Sequence, residues 1–145
     1  MFLIGRRDII DLPEWNLEAI EAKVDTGAYG CAIHCHKIEL IEDGGIVKLQ
    51  FELLDPQHPD YIGKKYTVTT FREKKVKSSS GVMEKRFVVK TELKIFNEIH
   101  VVEFSLTNRK KMKYPVLLGR KFLKKRFLVD VSKKNLSQEG DFIKV

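Results

Sequence analysis

This chain of 145 residues predicts an all-β fold, and three observations carry the prediction. Apolar residues recur at every second position along most of its length, the period of a half-buried strand rather than of a helix. Clusters of turn-forming residues interrupt that alternation at short intervals, as hairpins require. Only Arg120 to Lys125 carries a helical pattern, and it is a turn or two long.

The elements follow in order. Leu17 to Val24 alternates and runs into Asp25-Thr26-Gly27-Ala28. Gly27 permits a tight turn that a side chain would obstruct, so Asp25 can sit at a strand end facing a cleft. The Thr26 hydroxyl, both donor and acceptor, can lock that turn to its neighbours. After the Asp43-Gly44-Gly45 turn, Ile46 to Leu53 places Val47, Leu49, Phe51 and Leu53 on one face and Lys48, Gln50 and Glu52 on the other. Pro56 and Pro59 remove ladder donors, so Asp55 to Asp60 is a loop. Tyr66 to Lys77 is rich in Thr, Val and aromatics and reads as one strand. Ser78-Ser79-Ser80-Gly81 is a small, polar connector. Phe87, Val89, Thr91, Leu93 and Ile95 share a face; beyond the Asn97-Glu98 turn, so do His100, Val102, Phe104 and Leu106. Val116-Leu117-Leu118-Gly119 then leads into the short helix, with Phe122 and Leu123 facing inward.

The length suits one domain over residues 1–145 with a core of its own. With 43% hydrophobic and 32% charged residues the chain is globular in composition rather than disordered. No apolar run approaches the ~20 residues that span a bilayer, and Met1-Phe2-Leu3-Ile4 is too short for a signal-peptide core. The expected location is the cytoplasm, with no membrane partner. Cys31 and Cys35 on one strand would stand about 13 Å apart, too far for a disulfide. A net charge of +7, with basic clusters at Arg72–Lys77, Arg109–Lys113 and Arg120–Arg126, favours an acidic partner or is a solvated Lys-rich surface; no RNA-binding motif accompanies it.

Asp25-Thr26-Gly27, followed far downstream by Leu117-Leu118-Gly119, is the paired signature of pepsin-type and retroviral aspartic peptidases. The likeness extends through Gly5-Arg6-Arg7, Leu12-Pro13, Ala22-Lys23-Val24, Ala32-Ile33-His34, Pro115 to Leu123 and Arg126 to Asp130. In this order the motifs resemble the bacterial and archaeal retropepsin-like proteins often labelled ATP-dependent zinc proteases. Some of these are linked to the ligase that adds glutamates to a ribosomal protein. The resemblance implies a closed acid-protease barrel in a single lobe, with Asp25 as the catalytic aspartate and Thr26 and Gly27 as its loop. It implies that Ala28 and Tyr29 border bound peptide, that Leu117, Leu118 and Gly119 support the loop, and that Ser79, Ser80 and Gly81 lie at a flap over substrate. Peptide substrates, acidic ones among them, and a ribosomal association are further implications. Tyr29-Gly30 departs from the Arg-Thr more usual in relatives, and the Asp43–Lys64 stretch exceeds what a minimal retroviral protease needs.

The zinc and ATP label fails against the residues. No Gly-rich Lys-Ser/Thr loop and no His-Glu-x-x-His is present. Cys31, His34, Cys35 and His36 tempt as metal ligands, but strand alternation sends the cysteines one way and the histidines the other. We therefore expect neither metal nor cofactor.

An aspartic peptidase needs two carboxylates sharing a proton, one acting as base toward water and the other as acid toward the carbonyl. The chain carries one Asp-Thr-Gly, so the expectation is a twofold homodimer with one Asp25 from each subunit. The competing reading of Asp25 is ordinary turn chemistry, and that of the whole chain is a non-catalytic peptide- or ribosome-binding module on the same fold. Arg72, Arg86 and Arg120 are candidate contacts for acidic side chains, with a salt bridge as the plainer role for Arg120. His100 reads as a buried, hydrogen-bonded histidine and Trp15 as a packing anchor.

Overall fold

The computed structural model describes residues 1–77, 80–108, 113–140 and 142–145. Its strands are β1 (Phe2–Ile4), β2 (Arg7–Leu12), β3 (Leu17–Val24), β4 (Cys31–Asp43), β5 (Ile46–Leu53), β6 (Lys65–Val68), β7 (Arg72–Lys77), β8 (Met83–Ile95), β9 (Glu98–Thr107), β10 (Val116–Leu118) and β11 (Phe127–Val129). One α-helix is present among the described residues, α1 (Arg120–Leu123), so the all-β expectation with a short helix after Gly119 is met. Two 3-10 turns, Pro13–Trp15 and Leu136–Gln138, complete the elements.

Six strands pair in the order β10-β3-β2-β8-β9-β4, and β4 pairs back onto β10, so the ladder closes into a ring. The closure depends on β10, only three residues long. It runs parallel to β3, with Val116 opposite Ala22 and Leu118 opposite Val24, and antiparallel to β4, with Leu117 opposite Ala32. All three of its residues are buried; a strand covered on both faces has this continuous aliphatic composition. Strands β5 and β6 extend the sheet beyond β4, while β7 pairs with the first half of β8. Strands β1 and β11 form a separate parallel pair.

The buried hydrophobic residues form one core cluster. Trp15 packs its ring against Phe51, Tyr66 and Phe104 at centroid distances of 5.8, 6.1 and 6.3 Å. The Tyr66 hydroxyl donates to the Trp15 carbonyl, as a buried phenol should find a partner. Trp15 is thus the anchor its sequence context suggested. A second aromatic set, Phe2, Phe96, Phe122, Phe127 and Phe142, sits beneath β1, β11 and α1.

Four local expectations need correction. Tyr66 to Lys77 is not one strand: residues 69–71 break it, and its halves join different partners, β6 with β5 and β7 with β8. Propensity alone could not see this change of partner. Glu52 does not face solvent but is buried, accepting a 2.7 Å hydrogen bond from the Tyr61 hydroxyl; that bond holds its carboxyl below the usual carboxylate range. Val47 is exposed because the β4–β5 hairpin runs past the core there. A bulge between Cys35 and Lys37 also breaks the alternation expected of β4. Cys31, His34 and Cys35 are all buried, and only His36 points outward. No helix among the described residues is long and apolar enough to cross a membrane.

Candidate active site

Asp25 follows the last residue of β3, and two separate backbones hold it in place. Its N–H donates to the Leu118 carbonyl at 2.9 Å, extending the β3–β10 ladder by one step. Its Oδ1 accepts the Gly27 N–H at 2.9 Å, and its carbonyl accepts the Ala28 N–H at 3.2 Å. The carboxylate is therefore the capping group of its own turn. It is half-buried, whereas Thr26 and Gly27 are exposed. A Cβ on Gly27 would lie 3.2 Å from Asp25 Oδ1, crowding this contact.

The Leu-Leu-Gly segment fits behind this loop. Leu118 is fully buried and Leu117 nearly so. Gly119 is extended at φ −96°, so its need for glycine is purely spatial: a Cβ there would lie 2.3 Å from the Gly30 carbonyl oxygen and 2.7 Å from that of Tyr29. The close approach lets the next two residues bond across, Arg120 N–H to Ala28 O and Lys121 N–H to Tyr29 O, both at 2.8 Å. Arg120 does more. Its Nη1 donates to the Thr26 carbonyl at 3.0 Å and its guanidinium lies 5.8 Å from the centre of the Tyr29 ring. Arg120 thus braces the aspartate loop, and no carboxylate pairs with it among the described residues.

Ala28 is half-buried and Tyr29 is 64% exposed, so both border open space. Beside them lies a cavity of about 250 Å³ between β7, β8, β9, α1 and the Tyr29-Gly30 backbone. Five cations reach it, Arg72, Lys74, Lys90, Lys121 and Arg126, with one carboxylate, Glu103. Glu103 accepts from Arg72 Nε at 2.8 Å and from Lys121 Nζ at 2.9 Å. These two charge-assisted bonds favour its ionised form and pull its pKa down to about 2. Of the cavity's residues, the sequence singled out Tyr29 and Arg72 and placed Lys74, Lys121 and Arg126 in basic clusters, but did not show their convergence with Lys90 and Glu103. The available signal was the β8–β9 register, which sets Lys90 opposite Glu103.

The other candidates separate. Ser80 and Gly81 lie in the β7–β8 turn, Gly81 with φ +84°, while Ser79 falls outside the described residues. Arg86 faces Glu84 at 3.4 Å in the same hairpin. His100 packs edge-on against Phe122 at 5.5 Å, and burial lowers its basicity. His34 Nε2 lies 2.7 Å from Asp55 Oδ2, both residues buried. Cys35 donates to the Lys37 and Glu52 carbonyls, and burial pushes its thiol up to about 12. Burial raises Cys31 as well. No group of three or more His, Cys, Asp or Glu side chains converges among the described residues. The donor set suggested by the zinc label does not fit a tetrahedral metal.

A family model described as "Retropepsin-like aspartic endopeptidase RimB" matches residues 3–139. Among curated relatives, a "Probable alpha-L-glutamate ligase" of Desulfotalea psychrophila is 33% identical over 132 residues, covering 88% of this chain and 28% of the relative. One of the same name from Shewanella halifaxensis is 33% identical over 141 residues, 97% of this chain and 31% of the relative. The chain thus spans less than a third of the length of these relatives. The crystal structure of a Legionella pneumophila protein, Lpg0085, of unknown function, superposes with a TM-score of 0.68 at 28% identity, covering 94% of this chain and 98% of that one. The closed ring of strands, the Asp-Thr-Gly turn hung on a buried Leu-Leu-Gly strand and the match along nearly the whole length agree: this chain belongs to the RimB-like family of retropepsin-like aspartic endopeptidases.

Proposed function

We propose that the protein hydrolyses peptides as a homodimer, with Asp25 of each subunit supplying half of a carboxylate pair. One observation carries the reading. Asp25 stands on an exposed turn whose backbone is tied to Leu118, Ala28 and Arg120, a rigid mount for a carboxylate that a second copy can approach. Thr26, exposed in the single chain, is available to meet its counterpart there. Beside it lies a groove of about 480 Å³ bordered by Thr26, Tyr29, Arg120, Lys124 and Val129, open to a second copy.

The chemistry follows from two acids too close to ionise together. They hold one proton between them. The ionised carboxylate takes a proton from water as the water oxygen bonds to the peptide carbon, and the protonated one donates to the carbonyl oxygen. Collapse of the tetrahedral species, with proton delivery to nitrogen, breaks the C–N bond. Acidic, glutamate-rich peptides are the proposed substrates. The cationic cavity at Tyr29-Gly30 supports this, as do the glutamate ligase names of the relatives.

Asp25→Asn keeps the Oδ1 acceptor for Gly27 and so keeps the turn, but removes the carboxylate. Cleavage of an acidic peptide should vanish while the melting temperature stays within about 2 °C. Unchanged turnover in this variant sinks the reading. The cation-lined cavity also favours a second reading, a module that binds acidic peptide without cutting it. That reading expects no cleavage by the unmodified protein and binding that weakens steeply with salt.

A further inference from the structure

The cavity beside the aspartate loop is not an ordinary solvated basic patch. Its floor includes the buried Val88 and Phe122, both under 5% exposed, and low-dielectric walls concentrate the field of the charges at the rim. The sheet register explains how the charges come together. Arg72 is opposite Val88, Val88 is opposite Ser105, and Lys90 is opposite Glu103. Side chains on these positions share one face of three neighbouring strands, and α1 adds Lys121 from above.

Charge balance in this pocket is uneven. Glu103 engages Arg72 and Lys121. No carboxylate pairs with Lys74, Lys90 or Arg126 among the described residues. Arg126 donates to the Phe122 carbonyl at 2.8 Å, which fixes its place but leaves its charge uncompensated. Lys74 Nζ reaches the Gly30 backbone closely enough that a Cβ on Gly30 would lie 3.7 Å from it. The excess charge therefore stands directly against the Tyr29-Gly30 segment, beside the residues proposed to border peptide.

We propose that Glu103 is a specificity-setting residue: its carboxylate occupies the Arg72–Lys121 half of an anion subsite, leaving the Lys74–Lys90–Arg126 half for one carboxylate side chain of the substrate. Glu103 thereby limits the pocket to a single incoming acid and lowers its affinity for that acid, which favours release after cleavage. The inference rests on the proposed reading that acidic peptides enter this cleft, and it adds the residue that tunes their binding.

The test measures binding on an Asp25→Asn background, so that no cleavage intervenes. Fluorescein-labelled hexaglutamate and its neutral isostere hexaglutamine are titrated by fluorescence anisotropy. Glu103→Gln, which keeps the side-chain shape, should tighten hexaglutamate about fivefold, the size of one screened like-charge interaction, and leave hexaglutamine unchanged. Lys90→Glu should weaken hexaglutamate by about tenfold with no effect on hexaglutamine. The inference is overturned if Glu103→Gln weakens or does not alter hexaglutamate, if both peptides respond alike, or if neither variant distinguishes them. Failure here leaves cleavage by the protein with an intact Asp25 untouched, and failure of cleavage leaves the anisotropy result standing, so the two claims separate.

Discussion

Replacing Gly119 by alanine tests the most specific packing claim in the structure. The backbone there is extended, which any residue adopts, so alanine brings no torsional strain. What it brings is a methyl group 2.3 Å from the Gly30 oxygen and 2.7 Å from the Gly30 carbonyl carbon and the Tyr29 oxygen. Carbon contacts relax only near ~3.5 Å, so two backbones must part by about an ångström. Neither is a flexible side-chain end, and two 2.8 Å hydrogen bonds, from Arg120 to Ala28 and from Lys121 to Tyr29, resist the parting. Overpacking of this kind costs about 1–3 kcal/mol. At about 2–4 °C per kcal/mol for a chain of this size, the melting temperature should fall by about 2–12 °C. The loop that moves carries Asp25, and a misplacement of about 1 Å can cost about 100-fold in rate. Thermal melts by circular dichroism and peptide cleavage at a temperature where both proteins are folded read the two effects. Gly140→Ala, with nothing within 4 Å of the added carbon, is the control. Gly119→Ala melting and turning over like the control would refute the account of how the loop is held.

Further outcomes follow from buried and charged groups. Asp55→Ala removes the acceptor 2.7 Å from the buried His34 and the one that caps the Gln57 N–H, and should destabilise by about 1–3 kcal/mol, read as a shift in the urea midpoint. Glu103 is depressed from 4.5 to about 2 by Arg72 and Lys121, so its stabilising contribution is complete above 4.5 and disappears as the pH falls toward 2. The stability gap between the protein and Glu103→Gln should therefore close across that window in acid melts. Cys31 and Cys35 are buried, the latter with a thiol pushed up to about 12. Iodoacetamide at pH 8 should label neither in the native protein and both after urea unfolding.

Much of this architecture was legible in the chain because alternation is a local signal. The inward rows of β8 and β9, the turn at Asp25 and the aliphatic β10 announce themselves in consecutive residues. The departures arise where a distant partner decides. The 66–77 stretch looks continuous, yet β5 claims one half and β8 the other. Glu52 alternates as a surface residue, yet Tyr61 covers it from a loop. The aspartate loop and its Leu-Leu-Gly support were readable as a motif pair, but the reason for Gly119 appears only where Gly30 presses against it. The cationic cavity was visible as excess charge and not as a place, because β7, β8, β9, α1 and the α1–β11 connection each contribute only one or two of its charges.

The central claim is that two Asp25 carboxylates, one from each subunit, make a single active site. Subunit mixing tests it most directly: the protein and its Asp25→Asn variant are unfolded, combined in equal amounts and refolded together, and cleavage is measured at constant total protein. If both carboxylates are required, only dimers of two intact subunits work, and activity falls to about one quarter of that of the intact protein. Activity of about one half would show that each subunit acts with its own Asp25 alone, and would contradict the account.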